Sequence, residues 1–193
     1  MKNIFLAILI LGSGLMACHR SQQHTKSSTT VHSTHKGEQE FQAYLDRKRN
    51  DFIGKKIPSL DVKGIDGKTY NPAKMQGKIV LLNFWFAACK PCITEIASLN
   101  ELQRKFTKSK LTVLSVSTDA QSIAQKLAAQ KNMNYTVAAD GKAAAERLNV
   151  VTFPTSFLID ERGIIKEVFI GASADDATHT YSEVKPHLEQ LLN

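Results

Sequence analysis

The sequence predicts an α/β protein in which helices cover both faces of a mixed β-sheet, a three-layer sandwich. Two apolar runs, at 79–86 and 111–116, are separated by a stretch with helical periodicity, which predicts parallel strands joined by a crossover helix. Two later runs, at 156–160 and 164–170, flank a tight turn and predict an antiparallel hairpin. A parallel unit followed by a hairpin gives a mixed sheet.

The start of the chain predicts export. A single basic residue, Lys2, precedes an apolar run at 4–11 that is too short to span a bilayer comfortably, which is typical of a secretory signal. The signal ends in Leu-Met-Ala before Cys18 and resembles a bacterial lipobox, in which the cysteine becomes the lipidated first residue. We interpret residues 1–18 as a lipoprotein signal peptide. The alternative is an ordinary signal peptide cut nearby.

Residues 19–50 are predicted to form a polar tether followed by a short helix. The stretch at 19–37 is almost wholly polar, so we expect it to be disordered. Four of the six histidines lie there, and a soluble spacer is favoured over a metal-scavenging tract. At 38–50, Phe41 and Leu45 are four residues apart between charged residues, as in a helix. The net charge of +7 is spread along the chain, which gives nucleic-acid binding no support.

Residues 51–193 carry the alternating patterns of one folded domain, since the chain is short for two. A hairpin is predicted around Asp66-Gly67. Apolar residues recur every three or four positions from Ile93 to Phe106 and predict one long helix. Further along, we expect a helix at 122–132, a short strand at 135–137, a short helix at 142–148 and a closing helix at 181–192.

Two cysteines lie where the first central strand passes into the long helix. Backbone N–H groups and the dipole at a helix start stabilise a thiolate, so we expect the pKa of the Cys89 thiol to lie below that of a free thiol. Lys90 adds positive charge, and Pro91 suits the first helical turn because no N–H is needed there. Cys92 is within reach for a disulfide but faces the helix interior. We predict that Cys89 attacks and Cys92 resolves.

Two further positions belong to this constellation. Glu95 follows Cys92 by three residues, on the same helical face. A partly buried carboxylate there would take the proton of Cys92 as that residue becomes a nucleophile; the alternative is a solvated helix charge. Pro154, which follows Phe153 and precedes a strand, is a candidate for a cis peptide bond.

These residues carry a resemblance. FWFAACKPC, the glutamate three residues after the second cysteine, and FPT followed by SFLID resemble the thioredoxin superfamily. More narrowly, the chain is similar to the TlpA/ResA group of membrane-tethered thiol-disulfide oxidoreductases, with a thioredoxin-like domain of the AhpC/TSA-redoxin type. The match covers roughly residues 53–192 and leaves out the signal and the tether.

The resemblance implies a thioredoxin-like fold with a redox-active Cys89–Cys92 disulfide. It also implies that Glu95 helps catalysis. It implies further that the peptide bond before Pro154 is cis and that Pro154 packs against the disulfide. The substrate-binding residues that the resemblance implies are Trp85, Phe153 and Pro154.

Four positions depart from the usual pattern of the superfamily. Asn83 stands where many thioredoxins carry a buried Asp; since Asn cannot take a proton, the acid–base duty moves to Glu95. Ala88 replaces a bulky residue before the first cysteine, and Phe86 stands where a small residue is common. The shape of the substrate groove is therefore expected to differ. Ala97 replaces a common proline, so no helix kink is expected there.

Three other functions compete for the cysteine pair. A zinc site needs about four ligands, and one CxxC supplies two. A peroxiredoxin-like thiol peroxidase uses Thr or Ser three residues before its peroxidatic cysteine, but those positions hold Phe86 and Cys89. A copper-binding metallochaperone of the same fold uses a CxxxC spacing and a dedicated histidine. We predict no metal and no other cofactor.

The sequence thus predicts an exported, lipid-anchored thiol-disulfide oxidoreductase that exchanges disulfides with protein substrates. The resemblance implies a disulfide reductase, as in cytochrome c maturation. Its reducing power would come from a membrane electron donor, a quinol-linked or thioredoxin-linked thiol carrier.

Overall fold

The computed structural model describes residues 29–193, with side chains from residue 36 onward. The predicted signal peptide, Cys18 and the first part of the tether lie outside the described residues. In chain order, the elements are α1 (Thr29–Asn50), β1 (Val62–Gly64), β2 (Thr69–Tyr70), β3 (Ile79–Trp85), α2 (Lys90–Thr94), α3 (Ile96–Phe106), β4 (Leu111–Ser117), α4 (Gln121–Gln130), β5 (Thr136–Ala139), α5 (Lys142–Arg147), β6 (Thr155–Ile159), β7 (Ile165–Ile170) and α6 (His179–Leu192).

The seven strands form one mixed sheet in the order β2-β1-β5-β4-β3-β6-β7. The strands β3, β4 and β5 run parallel, whereas β6 pairs antiparallel with both β3 and β7. The two predicted hairpins, β1–β2 and β6–β7, are both present. The predicted fold class is therefore confirmed, and the functional cysteines follow directly after the central strand β3.

The core lies on both faces of β3, whose seven residues are all buried. Side chains alternate along a strand, so Leu81 and Trp85 join one apolar cluster while Leu82 and Phe84 join another. The first cluster contains residues of α3, α4 and α6, and the second contains residues of α5. Coverage on both faces explains why β3 is one continuous apolar run instead of an alternating pattern.

The helix α1 begins at Thr29, earlier than the start at residue 38 that the apolar spacing predicts. Propagating a helix costs little once a first turn exists, so polar residues extend it without an apolar face. The compact unit that holds the sheet begins at Gln39. Within it, the buried Leu45 anchors α1, and Arg49 Nε donates to the carbonyl of Val168 at 3.1 Å.

Among the helices that the structure describes, none combines the length and the apolar character needed to cross a bilayer.

Candidate active site

The cysteine pair lies one short loop beyond β3 and is closed as a disulfide. The Sγ atoms of Cys89 and Cys92 are 2.02 Å apart, and their Cα atoms are 5.3 Å apart. Cys89 is the N-cap of α2, and the N–H of Cys92 donates to Cys89 Sγ at 3.3 Å. In this oxidised form Cys89 is 6% exposed and Cys92 2% exposed, so Cys89 is the more open of two buried cysteines.

The loop that leads into Cys89 is held by the neighbouring strand β4. Asp119 Oδ2 accepts the N–H of Ala87 at 2.6 Å and the hydroxyl of Ser117 at 3.1 Å. The N–H of Thr118 donates to the carbonyl of Trp85 at 3.0 Å. Asp119 was not predicted from the sequence, where an Asp just after a strand is only a turn signal. It fixes the backbone two residues before the cysteine.

Glu95 divides the predicted long helix into α2 and α3. Its backbone ψ of −11° departs from the helical value of about −42°, although Ala97 is not a proline. The expectation of an unbroken helix is therefore wrong. The buried side chain of Glu95 is bonded to two other elements: Asn83 on β3 and Thr180 on α6. These contacts fix where the chain must bend.

Glu95 is a buried carboxyl, not a solvated charge. It is 3% exposed, and burial raises its pKa to about 7 from an ordinary value of 4.5. Hydrogen bonds from Asn83 and Thr180 act in the opposite direction, because they favour the charged form. Burial outweighs them, so this carboxyl changes its charge near neutral pH and is suited to move a proton there.

Behind Glu95 lies a buried polar cluster that the sequence did not reveal. Asn83 Nδ2 donates to Glu95 Oε1 at 2.8 Å and to Ser156 Oγ at 3.0 Å. Ser115 Oγ donates to Asn83 Oδ1 at 2.9 Å, and Thr180 Oγ1 donates to Glu95 Oε2 at 3.0 Å. All five residues of this cluster are buried. Three strands and one helix contribute to it, so no local sequence pattern identifies it.

The predicted substrate-binding residues are placed differently from one another. Phe153 is partly exposed and packs edge-on against Phe86, with ring centroids 5.3 Å apart. The Phe153–Pro154 peptide bond is cis, as the resemblance implies. Trp85, in contrast, is 2% exposed within the core cluster that contains both cysteines. In this closed form the Trp85 side chain is therefore covered by the core and not exposed at the surface as Phe153 partly is.

The rim of the site has a charged side and an apolar side. Lys90 Nζ lies 2.8 Å from Asp175 Oδ1 in an exposed ion pair, so the positive charge next to Cys89 is partly offset by the carboxylate of Asp175. On the other side, an open groove of about 400 Å³ begins at Ala87 and is lined by residues of α4. Ile123 of that groove is 47% exposed. Phe86, Ala87 and Ile123 supply apolar surface at this edge, and polar side chains of α4 line part of the groove.

Among the side chains that the structure describes, those of residues 36–193, no three His, Cys, Asp or Glu are grouped so as to hold a metal ion. Glu95 is the one ionisable residue of the buried polar cluster described above. The other members of that cluster carry an amide or a hydroxyl. The arrangement supports thiol chemistry with a proton acceptor nearby.

A closed CxxC disulfide at the start of a helix, above a mixed sheet of this order, defines a thioredoxin-like thiol-disulfide oxidoreductase. Comparison with known proteins places the chain within that class. The AhpC/TSA family model matches residues 53–168. The chain belongs to the AhpC/TSA family.

Individual relatives agree with this assignment. The chain is 34% identical over 131 residues to the thiol-disulfide oxidoreductase ResA of Bacillus cereus (strain ATCC 10987 / NRS 248), covering 66% of this chain and 76% of the relative. It is similar to a candidate thiol:disulfide interchange protein DsbE from Chlorobium tepidum, with 29% identity, a TM-score of 0.66, and coverage of 73% and 98%. It also resembles the thioredoxin domain of a thiol-disulfide oxidoreductase from Bacteroides vulgatus, with 26% identity, a TM-score of 0.60, and coverage of 70% and 96%.

Proposed function

We propose that this oxidoreductase is an exported disulfide reductase of the cell envelope, held to a membrane by lipid on Cys18. Its active site is the Cys89–Cys92 pair, with Glu95 as the proton acceptor for Cys92. The observation that carries the proposal is the buried carboxyl one helical turn after Cys92, whose pKa is raised to about 7 by burial.

The reaction begins in the reduced protein. The Cys89 thiolate attacks one sulfur of a substrate disulfide, so a Cys89–substrate bond forms, the substrate S–S bond breaks and one substrate thiolate leaves. The N–H of Cys92, which donates to Cys89 Sγ, stabilises the thiolate before this attack.

The second step closes the pair. Glu95 takes the proton of Cys92, and the Cys92 thiolate attacks Cys89 Sγ. The Cys89–Cys92 bond forms, the Cys89–substrate bond breaks and the second substrate thiolate leaves. Glu95 returns its proton to one of the two substrate thiolates, and solvent protonates the other. Two electrons have then passed from the pair to the substrate.

The substrate is proposed to be a protein disulfide presented as an extended segment beside Pro154. The apolar rim at Phe86, Phe153 and Ile123 supports an apolar segment next to the substrate cysteine. The similarity to a thiol-disulfide oxidoreductase and to a thiol:disulfide interchange protein supports disulfide exchange. The reducing direction and a place in cytochrome c maturation are what the resemblance to the TlpA/ResA group implies. The resulting Cys89–Cys92 disulfide must then be reduced by a membrane thiol carrier linked to quinol or thioredoxin.

The reducing direction is tested by the equilibrium reduction potential of the pair against glutathione. We expect a value near that of thioredoxin, about −270 mV. A potential near that of the strongly oxidising disulfide-forming proteins, about −120 mV, would overturn the reductase assignment.

The anchor is tested on the full chain expressed in a bacterial host. The mature protein is expected to begin at Cys18, to carry the mass of its acyl chains and to remain in the membrane fraction. The Cys18→Ala variant should lose the acyl mass and appear in the soluble envelope fraction, with its exchange rate unchanged. A mature wild-type N-terminus without lipid would rule out the anchor.

A further inference from the structure

The two oxygens of the Glu95 carboxyl have different partners. Oε1 accepts from Asn83 Nδ2 at 2.8 Å, and Oε2 accepts from Thr180 Oγ1 at 3.0 Å. An amide nitrogen can only donate, whereas a hydroxyl can both donate and accept. The two oxygens are therefore not equivalent when the carboxyl takes up a proton.

Asn83 is held in one orientation by its other partners. Its Nδ2 also donates to Ser156 Oγ at 3.0 Å, and its Oδ1 accepts from Ser115 Oγ at 2.9 Å. Turning the amide over would place Oδ1 against the carboxylate, where two acceptors meet without a hydrogen between them. It would also leave one N–H of a residue that is 1% exposed without the acceptor it now has. Oε1 of Glu95 thus faces a donor in both charge states.

Thr180 is different, because its hydroxyl can serve both charge states of Glu95. While Glu95 is ionised, Thr180 Oγ1 donates to Oε2. Once Oε2 carries a proton, it donates to Thr180 Oγ1, and the hydroxyl hydrogen turns away. Thr180 is 4% exposed, so no bulk water replaces it in either role. A buried polar group without a partner costs free energy, so this exchange of roles favours protonation at Oε2.

We propose that Asn83 and Thr180 are positioning residues that give the two oxygens of the Glu95 carboxyl different roles. Asn83 holds Oε1 as an acceptor in both charge states. Oε2 gains and loses the proton, and the Thr180 hydroxyl changes from donor to acceptor as it does so. The proposal rests on Glu95 as the proton acceptor for Cys92. It adds the atom that carries the proton and two residues, on β3 and α6, that control it.

Two titratable groups interact with Glu95 in the oxidised chain: Glu183, which follows Thr180 on α6, and Tyr135, which lies just before β5. Cys92 precedes Glu95 on α2 but does not titrate while it is in the disulfide. The negative charge of Glu183 raises the pKa of Glu95, and the charge of Glu95 in turn raises the pKa of the buried Tyr135. Tyr135 stays neutral through the neutral pH range, since burial raises its pKa well above its ordinary value of 10.0. The test variants leave all three groups in place.

The test is the titration of the Glu95 side-chain carboxyl by ¹³C NMR in the full oxidised chain, with the signal assigned through Glu95→Gln. Thr180→Val keeps the shape of the side chain and removes both the donor to the charged form and the acceptor for the protonated form. The loss is larger for the charged form, because a hydrogen bond to a charged group is the stronger of the two. Its titration midpoint is expected to rise by about one pH unit. Thr180→Ser retains a hydroxyl and should titrate like the wild type.

Two further variants separate positioning from general damage. Ser98→Ala removes another buried hydroxyl, which donates to the carbonyl of Ala177 without touching Glu95, and should leave the midpoint unchanged. Asn83→Asp places a second carboxyl against Oε1, so the single titration should become two coupled steps. An unshifted midpoint in Thr180→Val, or a shift in Ser98→Ala as large as in Thr180→Val, would overturn the proposal.

Failure of the proposed function would look different. If Glu95 did not serve Cys92, Glu95→Gln would exchange disulfides at the wild-type rate while the Thr180 and Asn83 variants still shifted the carboxyl titration as expected. The NMR midpoint reports positioning, and the exchange rate reports the catalytic role.

Discussion

Replacing Cys89 by serine is expected to abolish disulfide exchange, with a loss on the order of a thousand-fold or more, because the remaining thiol, Cys92, is the more buried of the two and is not placed to meet the substrate. Cys89 keeps 6% of its surface exposed against 2% for Cys92, and its sulfur accepts the N–H of Cys92. Both features favour Cys89 as the cysteine that meets the substrate. The rate of reduction of a protein disulfide by the reduced variant measures the effect.

Cys92→Ser is the matched variant, since it leaves the attacking cysteine in place and removes the resolving one. It is expected to attack once and then to stop at the mixed disulfide. Intact-protein mass spectrometry should show the variant joined to one substrate molecule, and a peptide map should locate the bond at Cys89. A stable adduct on Cys92 in the Cys89→Ser variant, with exchange retained, would reverse the two roles.

Glu95→Gln is expected to slow exchange at pH 7 by about 10²- to 10⁴-fold, the usual contribution of a general base. Glutamine fits the cluster as the protonated acid does: its oxygen accepts from Asn83 and its nitrogen donates to Thr180. The variant therefore removes the proton acceptor with little change in packing. The wild-type rate should rise with pH through a midpoint near 7, where Glu95 becomes ionised, and the variant should lose that step.

The same substitution should stabilise the oxidised protein at alkaline pH. The folded pKa of Glu95, about 7, lies above its ordinary value of 4.5, so between these values the folded state binds more protons than the unfolded state. Stability from this group is complete below pH 4.5 and is lost as pH rises through 7, a loss of about 3 kcal/mol. Glutamine does not titrate and avoids that loss.

Urea unfolding of both oxidised proteins at pH 5 and pH 8 measures this effect. The free energy of unfolding should be similar for the two at pH 5 and higher for Glu95→Gln at pH 8. If Glu95→Gln exchanged disulfides more slowly than the wild type but were no more stable at pH 8, the pKa of the Glu95 carboxyl would not be raised by burial as described.

The sheet is predictable from the sequence because a strand that is buried on both faces is a continuous run of apolar residues. The strand β3 is one unbroken apolar run, and the turn after Asp160 marks the β6–β7 hairpin. Cys89, Cys92 and Glu95 are predictable for a similar reason, since they follow one another at intervals of three residues, about one helical turn each. Their chemistry depends on local geometry that the sequence contains.

The remaining features depend on contacts between distant segments. Thr180 meets Glu95 across 85 positions of the chain, and Ser156 meets Asn83 across 73. The first contact depends on where α6 packs, and the second depends on the register of β6 against β3. No short sequence pattern predicts either of them. The burial of Trp85 has the same origin, because the packing of neighbouring elements decides whether the end of a strand is open or covered.

The reduction potential of the Cys89–Cys92 pair decides whether the protein reduces or forms disulfides. The purified full chain is equilibrated with glutathione buffers of stepped ratio at pH 7, and the fraction of closed pair is counted by thiol alkylation and mass spectrometry. We expect a potential near −270 mV, at which the pair gives electrons to protein disulfides. A potential near −120 mV would contradict it, because a pair so oxidising takes electrons from its partners.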